Sequence, residues 1–306
     1  MPVTDEWVSA AGADVHYLAW GEPGRRGLVF VHGAGASAHW WTHVAAWFAN
    51  QYRVIALDLT GHGDSQHRQR YSVEDWVAEI AAASASSGIA GPSVIVGHSV
   101  GGLLSTTAAA RHPDAFAGVI VCDARITDKT IAPPRPRRSG VERIYATIDE
   151  AVAKFRTSPV QPDDLEYVVD YIARRSAKSV DGGYTWKLDS RVFEQIQGNL
   201  RRVAWSHLSS LECRLALLRS EHGLVPEEIG QEMLSRARNG AYVVDLPLAG
   251  HHAMLDQPLV LLTAIRSVLA SWDFVDRAGS GAGTHSAPSA NHDAGGAVTH
   301  GISSNW

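Results

Sequence analysis

Short apolar runs broken by glycine-bearing turns set the rhythm of this chain. Trp7-Val8-Ser9-Ala10 and Val15-His16-Tyr17-Leu18-Ala19-Trp20 alternate as strands do on either side of Gly12, and Gly21-Glu22-Pro23-Gly24 closes the hairpin. The runs at Gly27–Val31 and 54–57 are apolar throughout, as in strands covered on both faces of a parallel sheet. Between them Trp40, Trp41, Val44, Ala45 and Phe48 recur at helical spacing. Ser72 then opens an amphipathic helix carried by Val73, Trp76, Val77 and Ile80, with Asp75 where a capping box places its acid. A β-branched run at 93–96 passes through Gly97-His98-Ser99-Val100-Gly101-Gly102 into a helical stretch at Leu103, Leu104 and the alanines 108–110. A sixth strand follows at 117–122. Strand–helix alternation after an opening hairpin predicts an α/β protein with a mostly parallel, doubly wound sheet.

The rhythm breaks between 126 and 210. A Pro/Arg stretch, Ala132-Pro133-Pro134-Arg135-Pro136-Arg137-Arg138, precedes helical patterns near 148–156, 163–175 and 190–206, with a turn or short hairpin at 181–187. Strand patterns return at 215–219 and 241–246, and an amphipathic helix follows at 257–272. The expected organisation is therefore one sheet domain, 1–125 and 211–276, with a helical cap, 126–210, inserted after the sixth strand. From 277 to 306 the chain is Gly, Ser, Ala, His and Asn with almost no large apolar residues, which reads as a disordered tail. Its histidines, His285, His292 and His300, match no metal-ligand spacing, and no metal is expected.

Composition narrows the function classes. At 306 residues, 45% hydrophobic and 19% charged, the chain has the balance of a globular protein with room for an inserted subdomain. It contains no apolar run of about 18 residues, so a membrane span is not expected. Met1-Pro2-Val3-Thr4-Asp5-Glu6 lacks the basic start and apolar core of a signal peptide. Cys122 and Cys213 lie in apolar strand-like runs and read as small core residues of a reducing compartment, which points to the cytoplasm. A net charge of −5 gives no sign of nucleic-acid binding. The charge is uneven, however: residues 126–210 carry +3 and the remainder −8. A cationic cap over an acidic body would steer an anionic substrate, although solvated helix faces would carry the same charges.

The candidate chemistry centres on Ser99. A strand that turns sharply into a helix needs glycines around its apex, and a serine there is held in a strained conformation with its hydroxyl outward. Backbone N–H groups at the start of the helix face the same point and favour negative charge. Gly-x-Ser-x-Gly also occurs by chance in loops, and it is the β-rich run before it and the helix after it that give it weight. The pair Gly33/Gly35 could suggest a nucleotide loop, but Ala38 stands where the third glycine of that fingerprint is required.

Four motifs in order give the chain its resemblance to the α/β-hydrolase fold superfamily. They are His32-Gly33-x-Gly35, Asp58-x-x-Gly61-His62-Gly63-x-Ser65, Gly97-x-Ser99-x-Gly101-Gly102 and Gly250-His251. The resemblance spans 5–272. It implies Ser99 as nucleophile, His251 as general base and the backbone N–H groups of Ala34 and Val100 as oxyanion hole. His252 is the rival base, while His32, His62 and His98 occupy motif positions used structurally. The acid is less plain. The loop that usually supplies it reads Arg219-Ser220-Glu221-His222-Gly223-Leu224-Val225-Pro226, without an aspartate. Asp123, at the end of the sixth strand, is the expected acid, because a buried carboxylate at a strand end can be fixed against the imidazole; Glu221 is the alternative.

The activity so implied is a serine hydrolase cleaving a carboxylic ester, thioester or lactone through an acyl-enzyme, with no cofactor. The alternatives are a carbon–carbon bond hydrolase using the same triad and a non-catalytic ligand-binding protein on this scaffold. A serine rather than an aspartate nucleophile argues against epoxide hydrolase or dehalogenase chemistry. Trp40, Trp41 and Trp186 are expected in the substrate pocket, and Tyr145, Phe155 and Tyr171 are further wall residues or packing within the cap. The expected partner is a small molecule, apolar or aromatic, with a homodimer as an option.

Overall fold

The structure, a computed structural model, describes residues 2–129, 143–196 and 200–281. In chain order its strands are β1 (Thr4–Ala10), β2 (Ala13–Trp20), β3 (Gly27–Val31), β4 (Arg53–Leu57), β5 (Ser93–His98), β6 (Phe116–Cys122), β7 (Ala177–Val180), β8 (Gly183–Trp186), β9 (Arg214–His222) and β10 (Ala241–Gly250). The helices are α1 (Thr42–Ala45), α2 (Val73–Ser86), α3 (Val100–Arg111), α4 (Ile148–Val152), α5 (Glu166–Ser176), α6 (Val192–Ile196), α7 (Leu200–Leu208), α8 (Glu227–Arg236), α9 (Ala253–Asp256) and α10 (Pro258–Gly281). Two compact units can be distinguished, 1–267 and 268–306. The first holds every strand; the described part of the second is helix.

Eight strands form one sheet in the order β1-β2-β4-β3-β5-β6-β9-β10. The opening hairpin joins it antiparallel through β2 and β4, and every later pair is parallel. Every residue of β3, β4 and β5 is buried, which is why those runs carry no polar alternation. From β3 the chain moves to one side for β4 and to the other for β5, so a crevice opens at the carboxyl ends where the order reverses. Register aligns what emerges there. Val31 pairs with Gly97, His98 with Cys122 and Cys122 with Leu218, so Ser99 and Asp123 leave neighbouring strands at one level.

Ser72 caps α2 as its sequence suggests: its Oγ accepts from the Asp75 N–H at 3.0 Å and donates to the Asp75 carboxylate at 2.6 Å. Between β6 and β9 the chain inserts α4, α5, the β7–β8 hairpin, α6 and α7. The Pro/Arg stretch at 132–138 lies outside the described residues. Two elements and one cysteine differ from the sequence pattern. The α8 helix is absent from it, because a mostly polar segment carries only Ile229 and Met233 toward the core. The α10 helix runs to Gly281, so 277–281 are helical rather than tail, and 282–306 lie outside the described residues. Cys122 is buried in β6, but Cys213 is half-buried just ahead of β9. No described helix is long and apolar enough to cross a membrane.

Candidate active site

Ser99 stands between β5 and α3 with φ 52° and ψ −119°. Such a backbone is strained for a residue with a side chain, and it is held by packing on both sides. The Ser99 N–H donates to the Cys122 carbonyl at 3.0 Å, and the Gly102 N–H donates back to the Ser99 carbonyl at 2.9 Å. A Cβ at Gly97 would lie 2.4 Å from the Gly101 carbonyl oxygen, so only glycine lets the strand and helix approach this closely. The loop after β3 closes on the same turn. A Cβ at Gly33 would sit 3.3 Å from the Ser99 Cβ and 2.8 Å from the His98 Nδ1. Ala34 is thereby set beside the serine, and Val100, first residue of α3, has an N–H with no partner inside its helix.

His251 reaches this point through a break in β10. The register with β9 shifts between Leu246 and Gly250, and Leu248 takes φ 59°. That bulge turns the chain so that His251 Nε2 lies 3.1 Å from the Ser99 Oγ, while its Nδ1 lies 2.7 Å from the Asp123 Oδ2. Both His251 and Asp123 are buried. A carboxylate on Nδ1 fixes that nitrogen as the donor and leaves Nε2 to accept the serine proton. Asp123 itself has φ 41° and accepts from the N–H of Leu224 at 2.7 Å and, at the edge of range, Val225 at 3.4 Å. Ser99, Asp123 and Leu248 are three of the four described non-glycine residues with positive φ, so the backbone strain of this fold gathers at the site.

The loop expected to supply an acid wraps the carboxylate of Asp123 instead. A Cβ at Gly223 would lie 2.3 Å from the Asp123 Oδ1, so no side chain fits in that slot. Glu221 is exposed, and its carboxylate accepts from the Leu248 N–H at 2.8 Å, tying down the bulge that leads to His251. His98 donates from Nε2 to the His251 carbonyl at 2.8 Å, with ring centroids 4.7 Å apart. His252 packs against Trp40, its ring centroid 5.3 Å from that indole, and the ring nitrogen that meets Ser99 is that of His251.

Sequence reasoning missed Gln161. From the insertion, its Oε1 accepts from the His252 N–H at 2.5 Å, and its Nε2 donates to Asp164 at 2.9 Å and Asp256 at 3.1 Å. Asp256 in turn accepts from the Gly250 N–H at 2.6 Å. The loop carrying His251 is thus held from the insertion, by a polar residue in a segment with no motif to announce it.

A cavity of about 720 Å³ is lined by Ala34, in the loop that closes on the turn, and by His252, next to His251; Ser99 and His251 are not among its lining residues. Trp40, Phe155, Trp186 and Phe193 supply aromatic wall. Trp41 does not: it is fully buried against Phe30, ring centroids 5.0 Å apart, because the residue after Trp40 faces the sheet. Tyr145 packs on Trp186 behind the wall, and the Tyr171 hydroxyl lies 3.1 Å from His39.

This geometry matches a known family. Residues 28–264 fit the alpha/beta hydrolase family. The chain belongs to that family. Esterase Rv0045c of Mycobacterium tuberculosis is 26% identical over 273 residues, covering 85% of this chain and 87% of that one. The (E)-2-((N-methylformamido)methylene)succinate hydrolase of Acinetobacter baylyi is 34% identical over 103 residues, covering 32% of this chain and 37% of its own. Among solved structures, the thioesterase domain from the curacin biosynthetic pathway superposes with TM-score 0.74 at 22% identity, covering 87% of this chain and all of that one. Such a likeness is one of fold. As a family member, the protein is a hydrolase.

The buried histidines of this hydrolase set its acid limit. Burial pushes His39 down to about 4 and His62 and His252 down to about 3, the last two helped by His32 and His251 respectively. Burial and the neighbouring His251 and His252 hold His98 well below the ordinary range. All four therefore fold neutral, whereas the unfolded chain protonates them below about pH 6.5. Their stabilisation is present above that pH and is lost as pH falls toward the folded values. Asp164, pushed up to about 6 by burial, offsets part of the proton uptake, as does His16, raised by Asp58 against its burial. His32 and His43, also lowered by burial, add to the uptake, and Glu79 and Asp256, raised by burial, offset it; each net proton taken up costs about 1.4 kcal/mol per pH unit. Thermal denaturation should give a Tm about 10 °C or more lower at pH 5 than at pH 7; equal values would contradict this charge assignment.

Proposed function

We propose that this hydrolase cleaves a carboxylic ester, thioester or lactone by way of an acyl-enzyme on Ser99. The observation that carries the proposal is the continuous hydrogen-bonded line from the Ser99 Oγ through His251 to Asp123. In the first half-reaction His251 Nε2 takes the hydroxyl proton as Ser99 Oγ bonds to the acyl carbon. The carbonyl oxygen becomes an oxyanion facing the N–H groups of Ala34 and Val100. Collapse breaks the bond to the leaving alcohol or thiol, which receives the proton from His251. Water then repeats the sequence: His251 takes its proton, the hydroxyl bonds to the acyl carbon, and the Ser99 bond breaks with return of the proton to Oγ. Asp123 holds the imidazole in the required tautomer and stabilises its cationic form.

A serine nucleophile supports acyl transfer over epoxide opening, which needs a carboxylate nucleophile. The aromatic wall supports an acyl or leaving group with substantial apolar surface. The test is turnover of a panel of p-nitrophenyl esters, thioesters and lactones by the purified protein. Hydrolysis of at least one class, saturable and lost in the Ser99→Ala variant, is expected. No turnover of any class would overturn the proposal.

A further inference from the structure

The cavity carries charge that the acyl-transfer steps do not use. Arg143, Lys154, Arg156, Lys187 and Arg191 line it, against one carboxylate, Asp189. Two of these cations are neutralised: Lys187 pairs with Asp64 and Arg191 with Asp189, each at 2.6 Å. The other three have no carboxylate partner among the described residues. Arg143 lies over the Tyr145 ring, 5.3 Å from its centroid. Arg156 donates to the carbonyls of Ala153 and Phe155 at 3.0 and 2.6 Å, contacts that hold the guanidinium without cancelling its charge. Lys154 is exposed at the same rim. All three come from the insertion, the part of the chain whose charge runs opposite to the rest.

Around Ala34 the lining carries no charge: Ser37 and Trp40 stand within a few positions of it, and His252 is neutral. That end suits the neutral atoms around a scissile carbonyl, and the three unpaired cations suit a negative charge elsewhere on the substrate.

Resting on the acyl-transfer reading, we infer that the substrate is an ester or thioester bearing an anionic group, held at the Arg143–Lys154–Arg156 rim. The anion is a carboxylate at the end of the acyl chain or a phosphate on the leaving group. Both are recognised by the same cations, through long-range attraction that salt screens within about 10 Å at 0.1 M.

Two matched pairs of substrates test this and separate the sources. One pair is mono-p-nitrophenyl glutarate against p-nitrophenyl pentanoate; the other is pentanoyl-coenzyme A against its neutral N-acetylcysteamine thioester. One pair should favour its anionic member by about tenfold in kcat/KM at low ionic strength, the preference shrinking as NaCl is raised to about 1 M. Preference in the first pair identifies the carboxylate, and preference in the second the phosphate. In the Arg143→Glu/Arg156→Glu variant the preferred ratio should fall to unity or invert; the salt titration on the wild type makes the same test without a substitution. Neutral members hydrolysed as well as anionic ones, or a preference indifferent to salt, would overturn the inference and leave the hydrolase reading standing. Failure to hydrolyse all four, with no adduct at Ser99, would remove both.

Discussion

Ser99→Ala should reduce kcat for any ester the protein hydrolyses by on the order of 10⁶, while leaving the fold intact. The size of this loss follows from the geometry. His251 Nε2 has one partner for its proton transfer, the Ser99 Oγ at 3.1 Å, and nothing else at the turn offers a nucleophile in that place. The Ala34 and Val100 N–H groups and the aromatic wall are backbone and remote side chains, so substrate binding should survive and KM should move far less than kcat. Alanine tolerates φ 52° no worse than serine does, so the turn itself should persist. Circular dichroism and Tm close to wild type, with residual turnover near the uncatalysed rate, are the expected readouts. Turnover within tenfold of wild type would remove Ser99 from the chemistry.

Asp123→Asn should cost about four orders of magnitude in kcat. Asp123 accepts from three donors at once: His251 Nδ1 and the N–H groups of Leu224 and Val225. One oxygen, Oδ2, takes both His251 Nδ1 and the Leu224 N–H, so an asparagine amide nitrogen placed there faces the Leu224 donor and forces the imidazole into the tautomer that blocks the serine. With its oxygen kept at that position, the neutral amide sets its NH2 against the Val225 N–H and no longer stabilises the imidazolium. Glu221→Gln should stay within about tenfold of wild type, because its oxygen still accepts from the Leu248 N–H and its side chain never meets the imidazole. Parallel kcat measurements on the two variants decide the acid. A large loss in Glu221→Gln with near-normal Asp123→Asn would reverse the assignment.

How far the sequence could be read follows from which contacts are local. The turn at Ser99 is written in five consecutive residues, and the buried strands around it are short enough to be recognised from their apolar runs. The mostly parallel, doubly wound sheet and the family were legible from those runs and motifs in sequence. The acid was not decided by its own neighbourhood. Asp123 and Glu221 both end strands of the same crevice, and what separates them is the absence of space at Gly223, a contact across 100 residues of chain. Trp40 and Trp41 are equally aromatic and equally near the loop after β3, yet a one-residue step turns the second into the sheet. Gln161 sits in an insertion of mixed polarity, where nothing in the local pattern distinguishes it from a surface residue. The α8 helix was invisible for a related reason, since its buried face is only two side chains wide.

The central claim is that Ser99 is an activated nucleophile, and covalent labelling addresses it most directly. The intact protein is treated with a fluorophosphonate, and the modified peptide is mapped by mass spectrometry. Stoichiometric adduct on Ser99, slowed by orders of magnitude in His251→Ala, is the predicted result. An unmodified Ser99, or one modified equally fast without His251, would contradict it.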